Sequence, residues 1–376
     1  MQFRDLKAQY KALKLQMDKA ISEVLSSSAY ILGEQVSILE KRLAGYVGVK
    51  NCISCANGTD ALILSLMALN VGKGDAVFAP NFTFFATVNC AMLIGASPVL
   101  VDIDKNTFNM SPEHLEQVIL QTIKEGALKP KVIITVDLFG QCADYDAINE
   151  IAQKYNLLIV EDAAQGFGGS INGKKACAYG DIATTSFFPA KPLGCYGDGG
   201  AMFTNDDDLD AKLRSLRSQG RSNLDKYDNR DMGLNSRLDT LQAAILSVKL
   251  DAFIENELED INKVADKYTS LLSHYVKTPF VPKGYVSSWA QYTILLKSQS
   301  ERDALKELLK QNGIPSMVYY PRGMHQQTAI KKYGFDKGEF PNTEYVVDRC
   351  LSLPMHPYLS DDDIYKVANC IIDFFK

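Results

Sequence analysis

Apolar and polar residues alternate along the middle of this chain in a pattern typical of strands separated by helices. Between residues 52 and about 204, short apolar runs rich in β-branched residues follow stretches whose apolar residues recur at helical spacing. The runs that predict strands are residues 77–79, 98–103, 132–136, 157–160, 182–187 and 201–204. Such alternation indicates an α/β fold, in which a mostly parallel sheet carries helices on both faces.

The two ends of the chain have a different pattern. Apolar residues at helical spacing predict two helices over residues 5–46, interrupted near Gly33, and one or two long helices over residues 238–275. A strand at 292–296 and helices at 301–311 and 361–375 follow. With a length of 376 residues, we expect two domains: residues 1–254, with the N-terminal helices and the large domain, and a smaller α/β domain at 255–376.

Composition excludes several classes of protein. The net charge of −5 argues against a general nucleic-acid binder. The N-terminus has no apolar signal core and no run reaches the ~18 apolar residues of a membrane span, so we expect a cytoplasmic protein. The eight cysteines are then expected to be reduced. Cys52 and Cys55 form a CxxC pair without a second pair or nearby histidines, so no metal site is predicted.

Candidate chemistry begins at Lys191, in the segment TTSFFPAKPLGCYGDGGA at residues 184–201. Aromatic residues precede this lysine and a cluster of glycines follows it, which lets the main chain turn tightly around a ligand. Burial and nearby cations lower the pKa of an ammonium group, so a lysine in such a place can become a nucleophile that forms a Schiff base.

A carboxylate and a helix N-terminus complete the pattern. Asp162 follows the apolar run 157–160, and the carboxyl ends of buried parallel strands face the ligand crevice of α/β proteins. It could bind a pyridinium nitrogen, or it could cap a helix. Gly58 and Thr59 begin a predicted helix whose free N–H groups suit a phosphate, joined by the Ser186 hydroxyl. Together these groups indicate a pyridoxal 5'-phosphate site with Lys191 and Asp162 as its catalytic pair.

Longer motifs identify a family. They are NGTDAL at 57–62, a threonine-aromatic stretch at 81–87, VDID at 101–104, VDLFGQ at 136–141, EDAAQ at 161–165, SFFPAKPLGCYGDGGA at 186–201, GLNSRLDTLQAA at 233–244, YYPRGMH at 319–325 and LPMHPYLSDDDI at 353–364. Through them the chain resembles the DegT family of nucleotide-sugar aminotransferases, which have the type I aminotransferase fold. The segment around Lys191 most resembles the branch that aminates the 3-keto carbon of a UDP-linked acetamido-uronic acid.

The resemblance implies roles for further residues. Gln165 would contact the ring hydroxyl, and Phe84 would cover the ring, with Phe82 or Phe85 as alternatives. Asn235 would reach the phosphate from the partner subunit, so that active sites are shared in a homodimer. Arg237, Tyr319, Tyr320 and His325 would contact the substrate. The lysine at 191, where a dehydratase branch has histidine, favours amino transfer, with L-glutamate as donor and pyridoxamine 5'-phosphate formed during turnover.

Three questions stay open at this stage. The acceptor could be a nucleotide sugar or a small phosphorylated ketone, and a non-catalytic sensor that binds the cofactor is an alternative of another class. The basic stretch at 212–237 could be a solvated helix face or could bind a diphosphate through its arginines. Its members are Lys212, Arg214, Arg217, Arg221, Lys226, Arg230 and Arg237.

Overall fold

The computed structural model describes residues 1–222, 225 and 227–376. Lys226 of the basic stretch therefore lies outside the described residues. The α-helices of the described part are α1 Leu6–Ser27, α2 Glu34–Val47, α3 Gly58–Ala68, α4 Ala86–Leu93, α5 Pro112–Glu125, α6 Tyr145–Tyr155, α7 Asp207–Leu216, α8 Thr240–Ala252, α9 Leu258–Leu272, α10 Gln299–Gln311, α11 Thr328–Lys332, α12 Pro341–Arg349 and α13 Asp361–Phe374. Its strands are β1 Asn51–Cys55, β2 Asp75–Pro80, β3 Ser97–Val101, β4 Lys129–Val136, β5 Leu158–Asp162, β6 Ser170–Ile171, β7 Lys174–Lys175, β8 Ile182–Ser186, β9 Gly200–Thr204, β10 Tyr285–Val286, β11 Tyr292–Leu295 and β12 Cys350–Leu353.

A seven-stranded sheet forms the centre, in the order β1-β9-β8-β5-β4-β2-β3. Strand β9 is antiparallel to both of its neighbours, and the pairs from β8 to β3 are all parallel. Each of the six predicted runs overlaps one of these strands, so the prediction of a mostly parallel α/β sheet is confirmed. The strands are buried along most of their length, because helices cover both faces.

Neighbouring residues of each strand point into two different cores. Ile133 and Ile159 pack with helices α2, α5, α6 and α8 on one face, whereas Ile134 and Val160 pack with α3, α4 and α7 on the other. This two-sided burial explains why the sequence of these strands is continuously apolar rather than alternating.

A third core lies in the C-terminal part, between helices α9, α10 and α13 and the two-stranded sheet β11-β12. The predicted domain boundary after residue 254 falls within the π-helical segment Phe253–Glu257, which joins α8 to α9 without a break. The division into two domains stays a prediction. No helix of the described residues is long and apolar enough to cross a membrane.

A buried cluster of charges ties helix α2 to the edge of the sheet and to α7. The Glu40 carboxylate accepts hydrogen bonds from the Ser54 N–H at 2.9 Å, from Arg217 at 2.6 Å and from Arg214 at 2.8 Å. Two arginines of the basic stretch are therefore structural rather than part of a solvated face or a diphosphate site. Burial raises the pKa of Glu40, but the charges of Arg217 and Arg214 outweigh burial, so its net pKa lies below the ordinary value.

Glu40→Gln should lower the free energy of unfolding by about 3–5 kcal/mol at pH 7, because Arg217 would lose its buried partner. The Glu40 and Arg217 side chains are each only 8% exposed. A carboxyl with a depressed pKa contributes stability above its unfolded pKa of about 4.3, and loses it as the pH falls further. Acidification should therefore destabilise the variant less than the native chain.

Urea denaturation at pH 7 and at acidic pH would measure both effects. Glu116→Gln is the matched control, since Glu116 binds Lys154 at 2.7 Å on the surface. Loss of this exposed ion pair should change the free energy of unfolding very little. Equal losses of stability in the two variants would contradict the structural role of Glu40.

Candidate active site

The carboxyl ends of β4, β5 and β8 open into a cavity of about 420 Å³. Parallel α/β sheets bind their ligands at this edge, and the volume suits a small cofactor together with part of a substrate. Nine of the twelve predicted site residues line it: Gly58, Thr59, Phe84, Asp162, Gln165, Ser186, Lys191, Tyr319 and Tyr320.

Asp162 ends strand β5 at the floor of this cavity and is 5% exposed. Its Oδ2 atom accepts a hydrogen bond from the Thr87 hydroxyl at 2.8 Å, and its Oδ1 atom accepts one from the Ala164 N–H at 3.2 Å. Burial raises the pKa of the Asp162 carboxyl, whereas the Thr87 hydrogen bond and the charge of Lys191 act in the opposite direction. The carboxylate is thus fixed in place, and no residue of the described part of the chain forms an ion pair with it, so it can accept a hydrogen bond from a pyridinium N–H.

Lys191 lies in the loop between β8 and β9, and its amine shares the cavity with Asp162. Burial lowers the pKa of this amine to about 8, although the Asp162 carboxylate favours the charged form. At pH 7, roughly one amine in ten is then neutral and able to act as a nucleophile or a base.

The N-terminus of helix α3 forms one wall. The Asn57 side chain caps the helix by accepting a hydrogen bond from the Asp60 N–H at 2.8 Å. The N–H groups of Gly58 and Thr59 belong to the first turn, where no helical carbonyl can bind them, so they are free for an anion. Glycine is required at residue 58, because an added Cβ would lie 2.7 Å from the Cβ of Ser186.

Of the three phenylalanines considered for the ring face, Phe84 lines the cavity and is 57% exposed. Phe82 is fully buried against Phe108 and Phe139, and Phe85 packs beside the core on the α3 side of the sheet. Contact between the exposed Phe84 ring and water is unfavourable, and a bound aromatic ligand would remove that contact by covering the ring.

Gln165 connects the sheet to the C-terminal part of the chain. Its Oε1 atom accepts a hydrogen bond from the Phe139 N–H at 2.8 Å, and its Nε2 atom donates one to the Tyr320 hydroxyl at 2.9 Å. One N–H of the amide stays available to a ligand. Tyr319 and Tyr320 form the wall above it.

Asn235, Arg237 and His325 do not line this cavity. Asn235 is exposed, and Arg237 is partly exposed two residues further on. His325 bonds through Nδ1 to the Asn81 side chain at 2.7 Å, and its Nε2 lies 3.4 Å from Glu344. Within this chain, His325 therefore holds the C-terminal part against the sheet.

Some residues around the cavity were missed from the sequence. Thr87 holds Asp162, and Thr83 in turn lies 3.0 Å from Thr87 between their hydroxyl oxygens. Arg4 binds the main chain of Lys191. The threonines lie in the threonine-aromatic stretch beside Phe84, so the motif pointed to their position, but nothing in the sequence near residue 4 indicates its contact.

These residues fit the pyridoxal phosphate that the resemblance implies. The free N–H groups and Ser186 suit its phosphate, Asp162 suits its ring nitrogen and Lys191 suits its carbonyl group. The fit is supported by two observations: the Asp162 carboxylate is buried in the cavity wall, and Gly58 packs closely against Ser186.

Comparison with known proteins identifies the family of the chain. The DegT/DnrJ/EryC1/StrS aminotransferase family matches residues 12–372. The UDP-2-acetamido-2-deoxy-3-oxo-D-glucuronate aminotransferase of Pseudomonas aeruginosa is 47% identical over 97% of this chain and 97% of its own. A crystal structure of a DegT DnrJ EryC1 StrS aminotransferase from Brucella abortus is 48% identical, covers 100% of this chain and 99% of its own, and has a TM-score of 0.97.

A crystal structure of NtdA from Bacillus subtilis contains bound pyridoxamine phosphate. It is 27% identical and has a TM-score of 0.88, over 99% of this chain and 83% of its own. The matches span nearly the whole chain in each case. The chain therefore belongs to the DegT/DnrJ/EryC1/StrS aminotransferase family.

Proposed function

We propose that this protein is a pyridoxal-phosphate-dependent aminotransferase that moves an amino group from L-glutamate to the keto-sugar of a nucleoside diphosphate sugar. A UDP-linked 3-keto sugar is the acceptor we favour, for the synthesis of a surface polysaccharide or glycan in the cytoplasm. The observation that carries the chemistry is the single cavity that holds Lys191, Asp162 and the N-terminus of α3. The choice of acceptor rests on the relative from Pseudomonas aeruginosa and its name.

The cofactor, when bound, supplies a carbonyl group that reacts with amines and a ring that accepts electrons. Lys191 would hold that carbonyl group and, once released, carry a proton to or from the substrate carbon that exchanges nitrogen. Its lowered pKa, about 8, gives a base that works near neutral pH. One amine thus serves both tasks.

Six further residues would position the cofactor. Asp162, held by Thr87 and Ala164, would keep the ring nitrogen protonated through its negative charge. Gly58, Thr59 and Ser186 would bind the phosphate. The free N–H of Gln165 would reach the ring hydroxyl, and Phe84 would cover one face of the ring. Each of these assignments is supported by the position of the residue in the cavity wall.

We also propose that two chains share their active sites in a homodimer. Asn235 and Arg237 lie outside the cavity of their own chain, which is what a contribution to the partner's site requires. Large apolar side chains are exposed along the N-terminal helices and at the mouth of the cavity, and water contact there is unfavourable. They are Leu15, Leu25, Ile31, Leu32, Ile38 and Phe188.

The substrate would lie against Tyr319 and Tyr320, with Arg237 and His325 as further contacts. Tyr319 and Tyr320 line the cavity beside Gln165, which supports their assignment. His325 is occupied by Asn81, so a substrate would have to approach its partly exposed Nε2 edge. L-glutamate as donor rests on the resemblance.

Formation of 2-oxoglutarate tests the reaction and its acceptor. The loaded enzyme should release 2-oxoglutarate from L-glutamate when a UDP-linked 3-keto acetamido sugar is supplied, and little when a small phosphorylated ketone replaces it. The reverse preference would establish the alternative acceptor. A sensor would bind the cofactor and yield no 2-oxoglutarate with any acceptor.

Thr87→Val should reduce turnover at neutral pH about tenfold and shift the acidic limb of the pH profile upward. A hydrogen bond donated to a carboxylate stabilises its charged form, so losing the Thr87 hydroxyl raises the pKa of Asp162 further. Thr87→Ser keeps the hydroxyl and should behave like the native enzyme. An unchanged pH profile in the valine variant would remove Thr87 from this role.

Mixing two inactive variants should restore activity if sites are shared. In a heterodimer of Lys191→Ala and Asn235→Ala chains, one site combines the native Lys191 of one chain with the native Asn235 of the other. Random exchange of subunits should recover about a quarter of native activity, since half of the dimers are mixed and each has one intact site. No recovery after confirmed subunit exchange would place Asn235 in its own chain's site.

A further inference from the structure

Arg4 reaches the main chain of Lys191 from the far end of the sequence. Its Nη2 atom donates a hydrogen bond to the carbonyl oxygen of Lys191 at 2.9 Å and lies 3.4 Å from that of Pro192. The contact joins residues 187 positions apart, so it forms only in the folded chain. A planar guanidinium that binds two successive carbonyls restricts both the position and the direction of the loop.

The same short segment is also fixed to the C-terminal part. The Met355 N–H donates to the carbonyl oxygen of Phe3 at 3.1 Å. The ring of Phe3 meets that of Tyr319 edge to face, with centroids 6.1 Å apart, and Tyr319 lines the active-site cavity. Residues 3 and 4 therefore connect the wall above the cavity with the lysine inside it.

The Arg4 side chain is partly exposed, but part of its guanidinium group is buried. Its Nη1 atom is buried with no hydrogen-bond partner in the described part of the chain. Burial lowers the pKa of Arg4 to about 10, and the nearby Glu257 carboxylate opposes this, so Arg4 stays a cation at neutral pH. Glu257 itself accepts hydrogen bonds from Gln9 at 2.9 Å and from Tyr358 at 2.6 Å.

A second buried cation binds the same loop. Lys249 is 1% exposed, and its amine donates a hydrogen bond to the carbonyl oxygen of Gly194 beneath the ring of Tyr196. Two cations thus bind main-chain carbonyls between residues 191 and 194, and burial removes part of the hydration of each. Removing two charged groups from water costs free energy, and a loop that only closes a turn would not require this.

We propose that Arg4 is a positioning residue for transamination, which fixes the main chain of Lys191 and keeps a positive charge near its amine. The charged groups that face this amine are Asp162, which favours the ammonium form, and Arg4, which favours the neutral form. Lys191 needs a neutral amine to react, so Arg4 opposes the effect of the carboxylate that the same cavity contains. The role of the amine rests on the proposed function.

The pKa of Lys191 itself provides the test. In the full-length chain without cofactor, the rate at which acetic anhydride acetylates Lys191 can be followed against pH by mass spectrometry of its peptide. Arg4→Met and Arg4→Gln should each raise this pKa by about half a unit to one unit, because a nearby positive charge is lost. Arg4→Lys keeps the charge and should leave the pKa close to the native value.

The loaded enzyme gives a second readout. Arg4→Met should lower kcat about tenfold at neutral pH with a smaller change in KM, and part of the loss should return at higher pH. Arg42→Met is the matched control, since Arg42 also binds a main-chain carbonyl, that of Ser247 at 3.0 Å, but neither residue lines the active-site cavity. It should leave both the Lys191 pKa and kcat unchanged.

Two results would overturn the proposal. One is a native Lys191 pKa in both neutral variants, even if their melting temperatures fall, which would make Arg4 a structural residue only. The other is an equal rise of the Lys191 pKa in Arg4→Lys, which would show that the positive charge at residue 4 does not control this pKa. If Arg4→Met does not fold, Arg4→Gln decides. Because acetylation needs neither cofactor nor substrate, it tests Arg4 even if the proposed reaction is wrong.

Discussion

An acid and an amine share the wall of one cavity, where both are shielded from water, and the surroundings of both follow from that constraint. Burial acts on them in opposite directions, since it raises the pKa of Asp162 and lowers that of Lys191. Burial by itself would favour the neutral form of both groups. The Thr87 hydroxyl preserves the charge of the carboxylate, while the Arg4 cation favours the neutral amine. The surroundings therefore favour a charged carboxylate and a neutral amine in the same cavity, which are the two protonation states that the proposed reaction needs.

The strand order brings these groups together. Asp162 ends β5 and Ser186 ends β8, and these strands are neighbours in the sheet, so their carboxyl ends open at the same edge. Strand β9 returns antiparallel and starts beside α3, where Gly200 lies against Asn57. A Cβ at Gly200 would be 2.6 Å from the carbonyl carbon of Asn57, so only glycine lets helix α3 start this close to the sheet.

Local sequence signals predicted those structural features that depend on residues close together in the chain. Apolar runs predicted the strands, and short motifs predicted Asp162, Gly58 and Lys191, because Asp162 ends a strand, Gly58 begins a helix and Lys191 lies in a glycine-rich loop that follows a strand. Long-range contacts left no such signal. Arg214 and Arg217 looked like a basic face because their partner, Glu40, lies more than 170 residues away. Strand β12 and helix α12 were missed for a related reason, since four-residue β12 is defined by its pairing with β11.

Several motifs of the chain support the cavity without lining it. In VDID, the buried Asp102 carboxylate accepts hydrogen bonds from the N–H groups of Asn342 and Thr343, both at 2.9 Å. These groups belong to the first turn of α12, where a negative charge is favourable. Asn81 binds His325 in the same manner across the two parts of the chain. Such contacts fix the C-terminal part against the sheet edge, so the distance between Tyr320 and Gln165 depends on residues that do not line the cavity of this chain.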